Sequence, residues 1–175
     1  SSDVCSSDLV NNPAFIAYNY VGVDATGTVA IGNGLSGIFT ESTNTPIGNN
    51  LVSGNGEMGL LIDGAEDVHV AGNYIGTDAT GNFGIPNLLS GVYVRDAVNI
   101  TIHNGNIISG NAEMGILIRS SNAIIVRENY IGTDPLGGFA VPNGFSGVGV
   151  SAGSFDVTIG GELGVDSNVI SGNTQ

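Results

Sequence analysis

Asn106-Ile107-Ile108-Ser109-Gly110-Asn111 is the stretch that decides the fold, because variants of it return along the whole chain. Asn50-Leu51-Val52-Ser53-Gly54-Asn55 and Asn168-Val169-Ile170-Ser171-Gly172-Asn173 repeat it in full. Asn19-Tyr20-Val21-Gly22, Asn73-Tyr74-Ile75-Gly76 and Asn129-Tyr130-Ile131-Gly132 are shortened copies. Each reads asparagine, two large apolar residues, then Ser-Gly or Gly. A motif met this often is a rule for building coils, not a reaction centre.

Working outward, a longer period encloses the motif. Tyr74-Ile75-Gly76-Thr77-Asp78 matches Tyr130-Ile131-Gly132-Thr133-Asp134, with Tyr20-Val21-Gly22-Val23-Asp24 as a weaker copy, at offsets of 54 and 56 residues. Strands open at Gly37, Gly59, Gly91, Gly115 and Gly147, with spacings of 22, 32, 24 and 32. The unit of about 56 residues is thus two coils, one short and one long. Each coil holds three apolar bursts, at 92–94, 99–102 and 106–108 in one coil and at 116–118, 123–126 and 129–131 in the next. Bursts this short, rich in β-branched residues and separated by Gly, Asn, Asp and Ser, are strands between turns and not helices.

Three short strands per coil, stacked at a fixed period, make a parallel β-solenoid. Alternation points Val92 and Val94 inward, and Tyr93 and Arg95 outward. About five coils at a spacing of about 4.8 Å give a rod on the order of 24 Å long. Asn19, Asn50, Asn73, Asn106, Asn129 and Asn168 fall at the bend before each third strand. Their amides are placed to bond from coil to coil as a ladder, and asparagine also tolerates left-handed backbone at such a bend. The long coils carry extra loops at 23–35, 77–89 and 133–145, which should project from one edge of the rod.

Composition agrees with many short strands and tight turns: 175 residues, 29 Gly, no Trp, 41% apolar residues and a mean hydropathy of +0.25. No apolar run approaches the roughly 18 residues of a membrane helix, so no membrane insertion is expected. Three Arg, no Lys and 16 acids give a net charge of −13, which argues against nucleic acid as a partner. The same charge suits solubility and divalent cations. One cysteine, Cys5, excludes an internal disulfide and a cysteine-built zinc site.

Residues 1–9 stand apart. They contain the direct repeat Ser1-Ser2-Asp3 and Ser6-Ser7-Asp8, and they lack the basic and apolar regions of a signal peptide. They resemble a translated sequencing adapter, a non-native scar, so 10–175 is read as the single β-helix domain. Neither end shows an amphipathic capping helix, and the chain stops where a next coil would start. The expectation is a fragment of a longer array, with neighbouring coils of the longer chain as its natural partners.

The Gly-Thr-Asp-x-x-Gly loops, the Pro-Asn-x-x-Ser-Gly-Val strands, Thr158-Ile159-Gly160-Gly161 and the motif at 168–173 resemble right-handed parallel β-helix repeat proteins of the pectin-lyase-like class. The resemblance covers 15–173. It implies an all-β, right-handed parallel β-helix, and a place outside the cell or on a bacterial cell surface. The same fold hosts polysaccharide lyases, hydrolases and epimerases, so it does not choose an activity.

Chemistry has one best place to sit. An outward column after the first strand reads Glu41, Asp63, Arg95, Arg119 and Ser151, beside a column of Phe39, Leu61, Tyr93, Leu117 and Gly149. Carboxylates about 5 Å apart are able to share Ca²⁺ or work as a retaining glycosidase pair, and an arginine fork suits a uronate carboxylate. Phe39 and Tyr93 would serve as sugar platforms. In the lyases of this fold, acids on such a face hold Ca²⁺ and a basic residue takes the sugar proton; Glu41, Asp63 and Arg95 match those roles by type only. The plainer reading is an exposed charge ladder, with Asp63–Arg95 as an ion pair contributing about 0–1 kcal/mol.

Asp24, Asp78 and Asp134 recur two coils apart, too far to share an ion, and are read as turn closers. Asp78 with Asn82 is a weaker Ca²⁺ candidate. Glu57 and Glu113 are read as solvated turn residues beside Met58 and Met114. His69 and His103 are not equivalent within their coils and form no recognisable zinc cluster. The first expectation is therefore a structural or adhesive segment, with polysaccharide or surface glycan as its partner and Ca²⁺ the conceivable cofactor. The alternative is a lyase, glycoside hydrolase or epimerase acting on acidic polysaccharide.

Overall fold

The structure, a computed structural model, describes residues 4–5, 15–151 and 153–175. It is a parallel β-helix with three short strands in each of five to six coils. The first sheet stacks Val4–Cys5, Ile38–Thr40, Leu60–Asp63, Val92–Arg95, Ile116–Arg119 and Val148–Val150. The second stacks Ile16–Ala17, Pro46–Gly48, His69–Ala71, Val98–His103, Asn122–Val126 and Phe155–Ile159. The third stacks Tyr20–Val21, Leu51–Val52, Tyr74–Ile75, Ile107–Ile108, Tyr130–Ile131 and Val169–Ile170. Every strand pairing is parallel, each with the equivalent strand one coil away. No helix among the described residues is long and apolar enough to cross a membrane. Of the segment set apart at the start, Val4–Cys5 pairs with Ile38 and Phe39. The rest of 1–9 lies outside the described residues.

The stacking builds one core from files of like residues. Ile38, Leu60, Val92, Ile116 and Val148 align in the first sheet. The first four are essentially inaccessible, and Val148, in the last coil, is half-buried. Val21, Val52, Ile75, Ile108, Ile131 and Ile170 form the third sheet's file. Burying each such side chain contributes about 1.5–3 kcal/mol, and the files repeat that gain coil by coil.

The ladder expected from the sequence runs the length of the structure. Asn19 Nδ2 donates to Asn50 Oδ1 at 2.9 Å, Asn50 to Asn73 and Asn73 to Asn106 at 3.0 Å, Asn106 to Asn129 at 2.8 Å and Asn129 to Asn168 at 3.0 Å. Each amide also holds backbone: Asn106 Nδ2 donates to Val70 O at 2.9 Å, and its Oδ1 accepts the Asn73 N–H at 2.9 Å. The left-handed backbone falls one residue before the ladder and not on it. Tyr18, Asn49, Gly72, Gly105 and Glu128 carry positive φ there. The ladder residue itself keeps a conformation that aims its amide along the rod.

A second ladder stands at the opposite corner, where the chain leaves the third sheet for the first. Asn33, Asn55, Asn87, Asn111, Asn143 and Asn173 are joined side chain to side chain at 2.8–3.0 Å. Its members explain the glycine that opens each first-sheet strand. A methyl group on Gly91 would stand 2.6 Å from Asn111 Nδ2 and 2.8 Å from Gly115 O, so only a hydrogen fits. Because Asn55 pairs with Asn87, the excess of a long coil over a short one is 77–85, with 23–31 and 133–141 as its copies. The bridges Val23–Ala30, Thr77–Gly84 and Thr133–Ala140 close these insertions as small antiparallel loops.

Candidate functional site

The outer face of the first sheet brings together the residues that the sequence singled out. Phe39, Leu61, Tyr93, Leu117 and Gly149 are in register, as are Asp63, Arg95 and Arg119. Glu41 follows Thr40 and Ser151 follows Val150, which extends the second line by one coil at each end. The outward residues, half-buried at Tyr93, Arg95 and Leu117 and exposed at Arg119, alternate with fully buried Val92, Val94, Ile116 and Ile118.

Within this face Asp63 and Arg95 are committed to each other. Arg95 Nε donates to Asp63 Oδ1 at 2.9 Å, and Arg95 Nη2 donates to Asp63 Oδ2, a bidentate fork. The guanidinium also lies 5.8 Å from the centre of the Tyr93 ring and 3.9 Å from Asp96. The hydrogen bonds from Arg95 hold the Asp63 carboxyl below its ordinary range, against the opposing effect of burial. The same bonds raise Arg95 further above neutrality. Each Asp63 oxygen thus accepts one bond from Arg95, whose Nε and Nη2 donors are committed to that carboxylate. Such a half-exposed pair contributes about 0–1 kcal/mol. Glu41 is exposed, and Arg119 is exposed with no ion pair to a described residue.

The insertions lean over the third sheet and not over this face. A methyl on Gly27 would stand 2.7 Å from Leu51 Cδ2, and one on Gly81 would meet Tyr74 at 3.2 Å. Successive insertions touch: the Ala79 N–H donates to Gly27 O at 2.9 Å, and Pro135 covers Gly81. The outer face of the first sheet is therefore flanked on its other side by turns as short as 96–97 and 120–121.

Asp24, Asp78 and Asp134 are turn closers. Asp78 Oδ1 accepts the N–H groups of Asn82 and Phe83 at 3.1 and 3.2 Å, and Thr80 Oγ1 donates to the same carboxylate at 2.8 Å. Asp134 accepts from Leu136, Gly138 and Phe139. The side-chain bond from Thr26 and backbone donors lower the Asp24 carboxyl to about 2, and the Phe139 N–H leads the same effect at Asp134. At Asp78 the donors already point at the oxygens that a Ca²⁺ ion would need. Asn82 enters through its backbone N–H, which is not a metal ligand. Among the described residues no group of three or more His, Cys, Asp or Glu side chains is arranged to hold a metal ion.

Glu57 is half-buried and accepts from Ser36 Oγ at 3.4 Å, while Met114 packs under Gly149. Two features escaped the sequence reading. One is the second asparagine ladder, whose members sit in unlike local motifs, Ser-Gly-Asn in short coils and Pro-Asn or Gly-Asn in long ones. The other is the approach of His69 to His103, whose rings lie 5.8 Å apart on the second sheet. Three shallow recesses of about 180, 270 and 270 Å³ line the corner between the second and third sheets.

The class that fold and face define is a three-strand parallel β-helix with paired asparagine ladders. No family model matches the chain, and neither the curated proteins nor the solved structures contain a match.

Proposed function

We propose that this chain is a non-catalytic rod of a secreted or cell-surface protein, adhesive in character, which meets glycan with the outer face of its first sheet. The observation that supports this most is the Asp63–Arg95 fork. The carboxylate that would hold a metal or attack a sugar, and the base that would take a proton, neutralise each other. Among the described residues Arg119 is the guanidinium on that face with no ion-pair partner, beside Leu117 and in line with Tyr93, and an arginine fork grips a sugar carboxylate well. The likeness of the loops and strands to pectin-lyase-like repeat proteins supports the extracellular setting.

The test is retention on immobilised polysaccharides, run beside assays for new reducing ends and unsaturated uronates, with and without Ca²⁺. The expected result is retention on acidic polysaccharide without turnover, weakened by Arg119→Ala and by salt. Product release that disappears in Asp63→Asn would overturn the reading and install a lyase or hydrolase in its place.

A further inference from the structure

The outer face of the second sheet carries a pairing that spacing alone hides. His69 lies opposite Thr101, and His103 opposite Ala71, so the two imidazoles stand one diagonal step apart on neighbouring strands. Each alternates with a buried residue, Val70 or Ile102, and both therefore point out of the sheet. Their ring centres are 5.8 Å apart, with the planes at 74°.

We propose that His69 and His103 form a two-imidazole site for one divalent transition ion of the zinc, nickel or copper type, with water completing the coordination. Metal–nitrogen bonds of about 2.0–2.1 Å, extended through the rings, put two imidazole centres that share an ion about 5–6 Å apart. The observed 5.8 Å lies within that range.

Among the described residues neither ring takes part in a hydrogen bond or ion pair that metal binding would have to break. A recess of about 270 Å³ opens beside His69, rimmed by Asn49, Gly72 and Asn104. Arg127 and Glu128, past the end of the next strand, are the charged groups whose fields reach the His103 imidazole. The charge of Arg127 is met by Asp166 at 2.9 Å and Glu128 at 3.4 Å. The net charge of −13 draws cations to the molecule generally, and nitrogen ligands select zinc, nickel or copper over Ca²⁺ or Mg²⁺.

Calorimetric titration of zinc chloride into the full chain tests this, repeated in the Cys5→Ser chain to remove the thiol as a competing ligand. One saturable site per chain is expected, unaffected by excess Ca²⁺ and weakened at least tenfold by His69→Ala and by His103→Ala. Absence of a saturable site, or either histidine variant binding like the parent, would overturn the proposal. Addition of Cu²⁺ to the unsubstituted chain gives an independent reading by NMR. Selective broadening of both imidazole signals supports the site, and uniform or absent broadening counts against it.

Discussion

At the corner entering the third sheet, every coil carries asparagine, at 19, 50, 73, 106, 129 and 168; along the outer line of the first sheet, the same stack carries Glu41, Asp63, Arg95, Arg119 and Ser151. The difference is one of surroundings. Asn106 is wholly buried and bonds to its own image in the coils on either side. A group that must donate to the copy on one side and accept from the copy on the other has to be an amide, and every coil must agree. Arg119 looks into water, where any residue is tolerated and each coil is free to differ. Constancy along the rod therefore reports what holds the coils together, and variation reports what is available for use.

The comparison breaks first at the ladder. Asn106→Leu removes both side-chain bonds along the rod and strands the Asn73 amide and Val70 carbonyl, so it should cost about 3–4 kcal/mol by denaturant unfolding. Asn122→Leu, on the half-exposed start of a second-sheet strand, should cost about 0.5 kcal/mol or less. Equal midpoints for the two would mean that the ladder is not what holds the coils.

Asn87→Leu extends the argument to the second corner. Asn87 donates to Asn111 Oδ1 and Val52 O, both at 3.0 Å, and accepts from the Asn55 N–H and amide. A loss of about 2–3 kcal/mol is expected in the same assay. A negligible loss would confine the load to one corner.

A column of left-handed residues at the start of the second sheet sharpens the comparison from the other side. Asn44, Asp67, Asn99, Ala123 and Asp156 all have φ between 53° and 57°. Alanine is the member with no polar side chain to offset that backbone strain. Ala123→Gly should therefore raise stability by about 0.5–1 kcal/mol, read as a higher melting temperature.

On the variable face, Asp63→Asn should cost about 0–1 kcal/mol, and less at high salt. The Asp63 carboxyl is depressed in the folded state by Arg95, so its contribution is complete above the ordinary carboxylate range and lost as pH falls through the folded value. The smallest effect is expected at Asp24, on the surface of an insertion. Its folded value of about 2 lies below the unfolded value of about 3.9, so its contribution is present above that value and lost as pH falls toward 2. Asp24→Asn should flatten that part of the acid-unfolding curve, and an unchanged curve would show that the turn bonds do not depend on charge.

The coils and the first ladder were legible because stacking turns a three-dimensional neighbour into a sequence period. Tyr74-Ile75-Gly76-Thr77-Asp78 and its copy at 130–134 carry the same contacts, so they carry the same letters. The second ladder was harder to read, since Asn55 and Asn87 become equivalent only when 77–85 loops out between strand and corner. The outward column from Glu41 to Ser151 was placed correctly by alternation alone. Its internal pairing was legible too, because Asp63–Arg95 is the step in that column that joins unlike charges; the bidentate form of the contact was not, since that rests on side-chain rotation.

The sequence by itself determined the three strands per coil, the inward files and the asparagine at the third-strand bend, because each is a local pattern repeated under the same backbone constraint. Only the tertiary structure decided which way the insertions lean, that Arg95 grips Asp63 with two bonds and that His69 meets His103. Those outcomes depend on distances between unlike residues in successive coils, set by register and side-chain rotation, and no period in the chain encodes them.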